Sequence, residues 1–79
     1  MPTDTQTIEQ VITDSLERFG AEREEISREA TFEALNIDSL DLAELSQIVE
    51  SEFGVELTSS DVAGVRTVGD AIDLVASRA

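Results

Sequence analysis

The chain has 79 residues, the length of one small domain with a single hydrophobic core. Eighteen acidic residues against five arginines give a formal charge of −13, which repels nucleic acids and anionic membranes and attracts basic protein surfaces. The sequence has no His, Cys, Lys, Tyr or Trp, which removes the usual general bases, thiol nucleophiles and zinc ligands. We therefore expect neither an enzyme nor a metal site.

Hydrophobic content and the lack of cysteine indicate whether the chain folds and in which compartment it is found. Leu, Ile, Val and Phe supply 23 of the 79 residues, well above the level of about 20% below which charged chains stay disordered. Without cysteine no disulfide can form, which favours a reducing compartment. The first ten residues resemble no signal peptide, and no stretch is apolar enough to cross a membrane. We expect a folded, monomeric, cytoplasmic protein.

A first helix is predicted by apolar residues that recur every three or four positions. Thr3 stands three residues before Gln6 in the spacing of a capping box, so this helix should begin near Thr3. Gly20 stands where a helix can end through a left-handed residue. The residues predicted to face the core are Ile8, Val11, Ile12, Leu16 and Phe19.

The helical pattern stops in residues 21–37, which should form a long connection. Its charged run, residues 22–25, is typical of a solvated surface. A loop of this length is uncommon in a compact domain, so we expect a turn of helix around residues 31–34. The side chains expected to hold the connection against the core are Ile26, Phe32, Leu35 and Ile37.

A second helix is predicted over residues 39–53, with Asp38 as its N-cap and Gly54 just past its end. Its core face contains Leu42, Leu45, Val49 and Phe53. The opposite face places two large aliphatic side chains among polar and acidic ones. Scattered surface aliphatics are normal, but these lie close to Ser39, which favours a docking strip formed by Leu40, Asp41, Glu44, Gln47 and Ile48.

The last third of the chain predicts two more helices. Thr58 and Asp61 have capping-box spacing ahead of a short helix that ends near Gly64. Thr67 and Asp70 repeat that spacing before a last helix, whose predicted core residues are Val68, Ala71, Ile72 and Val75. No segment alternates as a strand would. The expected fold is all-α, a small bundle of three main helices plus one short helix.

Ser39 is the residue whose position points most directly to chemistry. It falls at the first position of the second helix, where backbone N–H groups lack intrahelical acceptors and the helix dipole is positive. A phosphate esterified to this serine would be stabilised there despite the acidic chain. Taken alone, an Asp-Ser pair at a helix start is more often simply a cap.

The wider sequence resembles the acyl carrier proteins of fatty-acid and polyketide synthesis. The similarity covers most of the chain and includes LNIDSLD at residues 35–41, EFGVEL at 52–57 and TVGDAIDLV at 67–75. It departs from the family in having Asn36 where Gly is frequent and Gln47 where Met is common. Asn tolerates left-handed conformations, so the turn can survive. Residues 1–79 are accordingly expected to be one acyl carrier domain.

The resemblance implies that Ser39 carries 4′-phosphopantetheine, transferred from coenzyme A by a separate phosphopantetheinyl transferase. The thiol of that arm would hold the acyl group, and Asp38 and Leu40 match the residues that flank the serine in the family. The docking strip would contact basic patches on ketosynthases, acyltransferases and other synthase enzymes. A growing acyl chain would fold back against Leu45, Val49, Phe53, Leu57, Val62 and Ile72.

Other functions fit the sequence less well or stay open beside this one. An acidic decoy that occupies nucleic-acid-binding sites fits the charge but gives no role to Leu40 or Ile48. A calcium-binding EF-hand needs a central Gly that residues 38–50 lack. An aminoacyl carrier stays open, as does the choice between fatty-acid and polyketide pathways. The complete absence of Lys hints at a GC-rich bacterial gene and leans slightly towards a polyketide, and hence antibiotic, pathway.

Overall fold

The computed structural model describes residues 4–79 as a bundle of α-helices. The helices are α1, Thr5–Arg18; α2, Ser39–Phe53; α3, Ser59–Ala63; and α4, Val68–Arg78. The described part of the chain has no β-strand, only an isolated antiparallel bridge between Thr31 and Thr67. The predicted all-α bundle with three main helices and one short helix is confirmed.

Helix α1 begins and ends through local hydrogen bonds. Its N-cap is Asp4, whose carboxylate accepts a bond from the Thr7 N–H at 2.8 Å. The predicted start at Thr3 lies outside the described residues. At the other end the Ala21 N–H donates to the Leu16 carbonyl at 3.0 Å while Gly20 has φ 110°, the pattern of a Schellman motif.

The three later helices each start with a capping box, in which the cap side chain and the residue three positions on exchange hydrogen bonds with each other's backbone. The bounds predicted for α2 agree with those observed, and Gly54 ends it in a left-handed conformation at φ 69°. The capping pairs are Asp38 with Asp41, Thr58 with Asp61, and Thr67 with Asp70.

The core lies where α1 packs against α4 and α2. Val11 and Phe19, which the sequence placed on the core face of α1, are only half-buried. Helix α3 contributes no buried residue. The buried apolar residues are Ile8, Ile12, Leu16, Phe32, Leu35, Ile37, Leu45, Val49, Val55, Val68, Ala71, Ile72 and Val75.

The connection between α1 and α2 is held to the start of α4 by backbone bonds. The Gly69 N–H donates to the Arg28 carbonyl at 3.0 Å, and the Val68 N–H donates to the Ala30 carbonyl at 3.0 Å. A Cβ at Gly69 would lie 2.9 Å from the Arg28 oxygen, so this approach requires glycine. The predicted turn of helix around residues 31–34 is present as one turn, in which the Leu35 N–H donates to the Thr31 carbonyl at 3.2 Å. A 3₁₀ turn also occupies Arg23–Glu25.

Candidate functional site at the start of helix α2

Ser39 is the first residue of α2 and is exposed to solvent. The preceding residue, Asp38, is the predicted N-cap: its Oδ1 accepts from the Asp41 N–H at 2.9 Å, and its own N–H donates to Asp41 Oδ2 at 3.4 Å. The first N–H groups of the helix have no intrahelical acceptor and carry partial positive charge. Ser39 therefore presents an accessible hydroxyl at a place that stabilises a phosphate.

The turn that leads into α2 is set by Asn36. This residue has φ 60°, the left-handed conformation that a Gly would provide. On either side of it Leu35 and Ile37 are buried, and the Ile37 N–H donates to the Phe32 carbonyl at 2.9 Å. The core thus anchors the residues on both sides of the turn, and this fixes the position of Ser39 at the surface of the bundle.

The outer face of α2 keeps most of the predicted docking strip at the surface. Leu40 is 79% exposed and is the one large hydrophobic side chain so exposed among residues 4–79. Glu44 and Gln47 are also exposed, whereas Asp41 and Ile48 are half-buried. Ile48 is therefore less accessible than the sequence suggested, but it is not among the residues packed on the core.

The segment of the chain that contains this face is strongly acidic. Between Arg28 and Arg66 the chain carries nine acidic residues and no basic one. One of these acids, Asp61 of α3, is neutralised by Arg78 of α4, which donates to both carboxylate oxygens at 2.5 and 2.7 Å. That ion pair and the hydrogen bond from the Thr58 N–H hold the pKa of Asp61 well below its usual range.

A groove between α2 and α3 begins at Ser39. Its walls combine apolar side chains with four hydroxyl groups, those of Ser39, Ser46, Thr58 and Ser59. The remaining lining residues are Leu42, Ala43, Leu57, Val62, Ala63 and Val65.

Behind the groove lies a small cavity of about 20 Å³, room for about one water molecule. Four of the residues predicted to line an acyl chain do line it: Leu45, Val49, Leu57 and Val62. The groove and the cavity share five wall residues, so only their side chains separate the two spaces. These shared residues are Leu42, Ser46, Leu57, Val62 and Val65.

Phe53 and Ile72, the other two residues predicted to contact an acyl chain, do not line this cavity. Helix α4 faces the cavity with Ala71, Leu74 and Val75, and Ile72 lies about 100° round the helix from that face, fully buried elsewhere in the core. Phe53 ends α2 one turn beyond Val49 and is half-buried against the core.

The sequence reading also missed wall residues. Ser46 lies four residues after Leu42 on the core-facing stripe of α2, and was overlooked because its side chain is polar.

Comparison with known proteins identifies the family. Residues 6–75 match the family described as "Phosphopantetheine attachment site". Over 74 residues the chain is 42% identical to the acyl carrier proteins of Nitratidesulfovibrio vulgaris strains DP4 and Hildenborough, which covers 92% of this chain and 93% of each relative. The chain belongs to the acyl carrier proteins. As an acyl carrier protein, it has a covalently attached 4′-phosphopantetheine.

Family membership carries general consequences. Acyl carrier proteins are generally carriers rather than catalysts, and they interact with a phosphopantetheinyl transferase and with synthase enzymes. In the described part of this carrier protein no helix is both long and apolar enough to span a membrane. The exposed Ser39 hydroxyl at a helix start fits a phosphodiester link to the arm, because the unpaired N–H groups there would stabilise the phosphate.

Proposed function

We propose that this acyl carrier protein holds its 4′-phosphopantetheine on Ser39 and presents acyl thioesters to enzymes of polyketide or fatty-acid biosynthesis in the cytoplasm. The observation that carries the proposal is the position of Ser39, exposed at the first turn of a 15-residue helix and at the mouth of the groove. The chain has no thiol of its own, and the arm supplies one. The protein itself catalyses no step.

The acyl chain is proposed to fold back between α2 and α3. Support comes from the five wall residues that the groove and the cavity share, four of them apolar and one of them Ser46, which lead from the groove at Ser39 into the bundle. Because the cavity holds only about one water molecule, a chain of several carbons requires α3 to move outward. Helix α3 is suited to this, since none of its residues is buried.

Partner enzymes are proposed to dock on the outer face of α2. The exposed Leu40 offers an apolar contact at the centre of an acidic surface, and Glu44 offers a charge that basic side chains can pair with. Asp41, Gln47 and Ile48 complete the surface. The uncompensated acids between Arg28 and Arg66 would steer basic partners towards it.

The proposal is tested by modification of Ser39. The apo form of the protein, which lacks the arm, is incubated with coenzyme A, Mg²⁺ and a broad-specificity phosphopantetheinyl transferase, and its intact mass is recorded. We expect the gain of one phosphopantetheinyl group, lost in Ser39→Ala. The matched control is Ser59→Ala, since Ser59 is also exposed, lines the groove and begins a helix.

Modification that persists in Ser39→Ala and disappears in Ser59→Ala would move the attachment site to α3. If neither serine accepts the group, an acidic decoy becomes the better explanation of the charge.

A further inference from the structure

Ser46 is the one polar side chain among the twelve that line the inner cavity within the described residues. It also lines the groove that begins at Ser39. Because Ser46 follows Ser39 by seven residues, the two side chains share a face of α2 and are separated by a rise of about 10 Å. An acyl chain entering from Ser39 along this face passes the Ser46 hydroxyl.

The hydrogen bonding of Ser46 determines what it can offer to such a chain. Its Oγ donates to the Leu42 carbonyl at 3.1 Å, which uses the only proton of the hydroxyl. The lone pairs of Oγ remain, so the group faces the route as an acceptor. No buried side-chain nitrogen or oxygen in residues 4–79 lacks a partner, and the other side chains on the cavity wall are all apolar.

We propose, on the basis of the function proposed above, that Ser46 makes this carrier selective for acyl chains with a hydroxyl near the thioester, such as 3-hydroxyacyl groups. A 3-hydroxyl can donate to Ser46 Oγ while the bond to Leu42 stays intact. A 3-oxo group can only accept, so it would have to displace that bond, and an alkyl chain forms none. Without Ser46, a hydroxyl buried against the apolar wall would have no side-chain partner, which is costly.

The test compares three cargoes of equal length: butanoyl, 3-hydroxybutanoyl and 3-oxobutanoyl groups. The transferase moves the acyl-phosphopantetheine of each coenzyme A thioester onto the free Ser39 hydroxyl of the apo protein, and adenosine 3′,5′-bisphosphate leaves. Intact mass first confirms loading. The readout is the rate of thioester cleavage by hydroxylamine, divided by the rate for the same acyl group on coenzyme A. Division by the coenzyme A rate corrects for the intrinsic reactivity of each thioester. The ratio therefore reports how far the protein shelters the thioester, that is, protects it from hydroxylamine.

We expect the 3-hydroxybutanoyl group to be sheltered about fivefold better than the other two, the effect of one net hydrogen bond. Ser46→Ala should abolish this advantage without reducing the shelter of the butanoyl group. Ser46→Thr, which keeps the hydroxyl, should retain the preference. The matched control is Ser51→Ala, an exposed serine of α2 outside the groove and cavity, which should leave all three rates unchanged.

Equal shelter of the three cargoes by the unmodified protein, or an advantage that survives Ser46→Ala, overturns the inference. Equal loss of shelter for all three cargoes in Ser46→Ala also overturns it, since Ser46 would then hold the arm rather than select the acyl group. Failure to load at all is seen in the mass measurement and refutes the proposed function, on which this inference rests.

Discussion

Asn36 adopts a backbone conformation that most residues avoid. At φ 60° its Cβ crowds the following carbonyl oxygen, which costs an ordinary residue about 1–2 kcal/mol and a β-branched one more. The turn cannot relax, because the neighbouring Leu35 and Ile37 are both buried. The position of Ser39 in space therefore depends on a residue three positions before it.

Replacing Asn36 tests this dependence. Asn36→Val should lower the free energy of unfolding by about 1–2 kcal/mol, because a β-branched side chain is strained at positive φ. Asn36→Gly should leave it nearly unchanged, since Gly adopts this conformation freely. Urea denaturation followed by circular dichroism measures both variants. If both variants lost the same free energy of unfolding, the Asn36 side chain, and not its left-handed backbone conformation, would be the source of the stability at this position.

Helix α3 is the element with the least packing. It has five residues, none of them buried, and its Asp61 is tied to Arg78 near the end of α4. Asp61 keeps only 16% of its side chain exposed, so this pair is better shielded than the other ion pairs of the described chain. Since α3 forms one side of the groove, we expect the ion pair to restrain the opening of the groove.

Removing the cation should loosen α3 alone. In Arg78→Gln we expect faster hydrogen exchange at the backbone amides of residues 59–63, with little change at the buried core of α1. The matched control is Arg66→Gln, because Arg66 is exposed and makes no ion pair within residues 4–79. Exchange that is unchanged in Arg78→Gln would mean that capping and apolar contacts alone hold α3.

The same pair predicts a pH dependence. The pKa of Asp61 in the folded protein is below its model-compound value of 3.8, so the unfolded state binds more protons as the pH falls. The stabilisation from this carboxylate is fully present above about pH 5, declines as the pH falls past the unfolded value of 3.8, and is lost as the pH falls through the folded-state pKa. In Arg78→Gln that loss should move towards pH 4, which hydrogen exchange of residues 59–63 along an acid titration would record.

Across the whole molecule, negative charge opposes folding and favours association with basic partners. The formal charge is −13, and the five arginines lie outside the segment between Arg28 and Arg66. Like charges repel in the compact state, and at 0.1 M ionic strength salt largely screens the repulsion between charges more than about 10 Å apart. The same screening weakens attraction to a basic partner.

Added salt should therefore act in opposite directions on two measurements. The melting temperature should rise, whereas the affinity for a phosphopantetheinyl transferase should fall. Glu44→Lys should weaken that affinity at low salt and leave helicity intact, because Glu44 is exposed. A melting temperature that does not respond to salt would show that self-repulsion is negligible. Loss of helicity in Glu44→Lys would contradict its placement on the outer face.

Much of the site could be predicted because its parts are local. A cap and its partner lie three residues apart, so Asp38, Thr58 and Thr67 were recognisable as helix starts, and the bounds of α2 followed from Asp38 and Gly54. The cavity could not be predicted in full. Ile72, which the resemblance placed beside an acyl chain, does not line the cavity, because the rotation of α4 against its neighbours is set by packing and not by periodicity alone.

The amino-acid order by itself determined the helices, the exposed serine that starts α2 and the acidic surface around it, since these follow from backbone geometry and charge. Only the tertiary structure decided which side chains meet across helices. It placed Arg78 on Asp61, 17 residues away, and Ser46 on an otherwise apolar wall. Such contacts depend on how helices cross, and a single sequence read along its length carries no measure of that crossing.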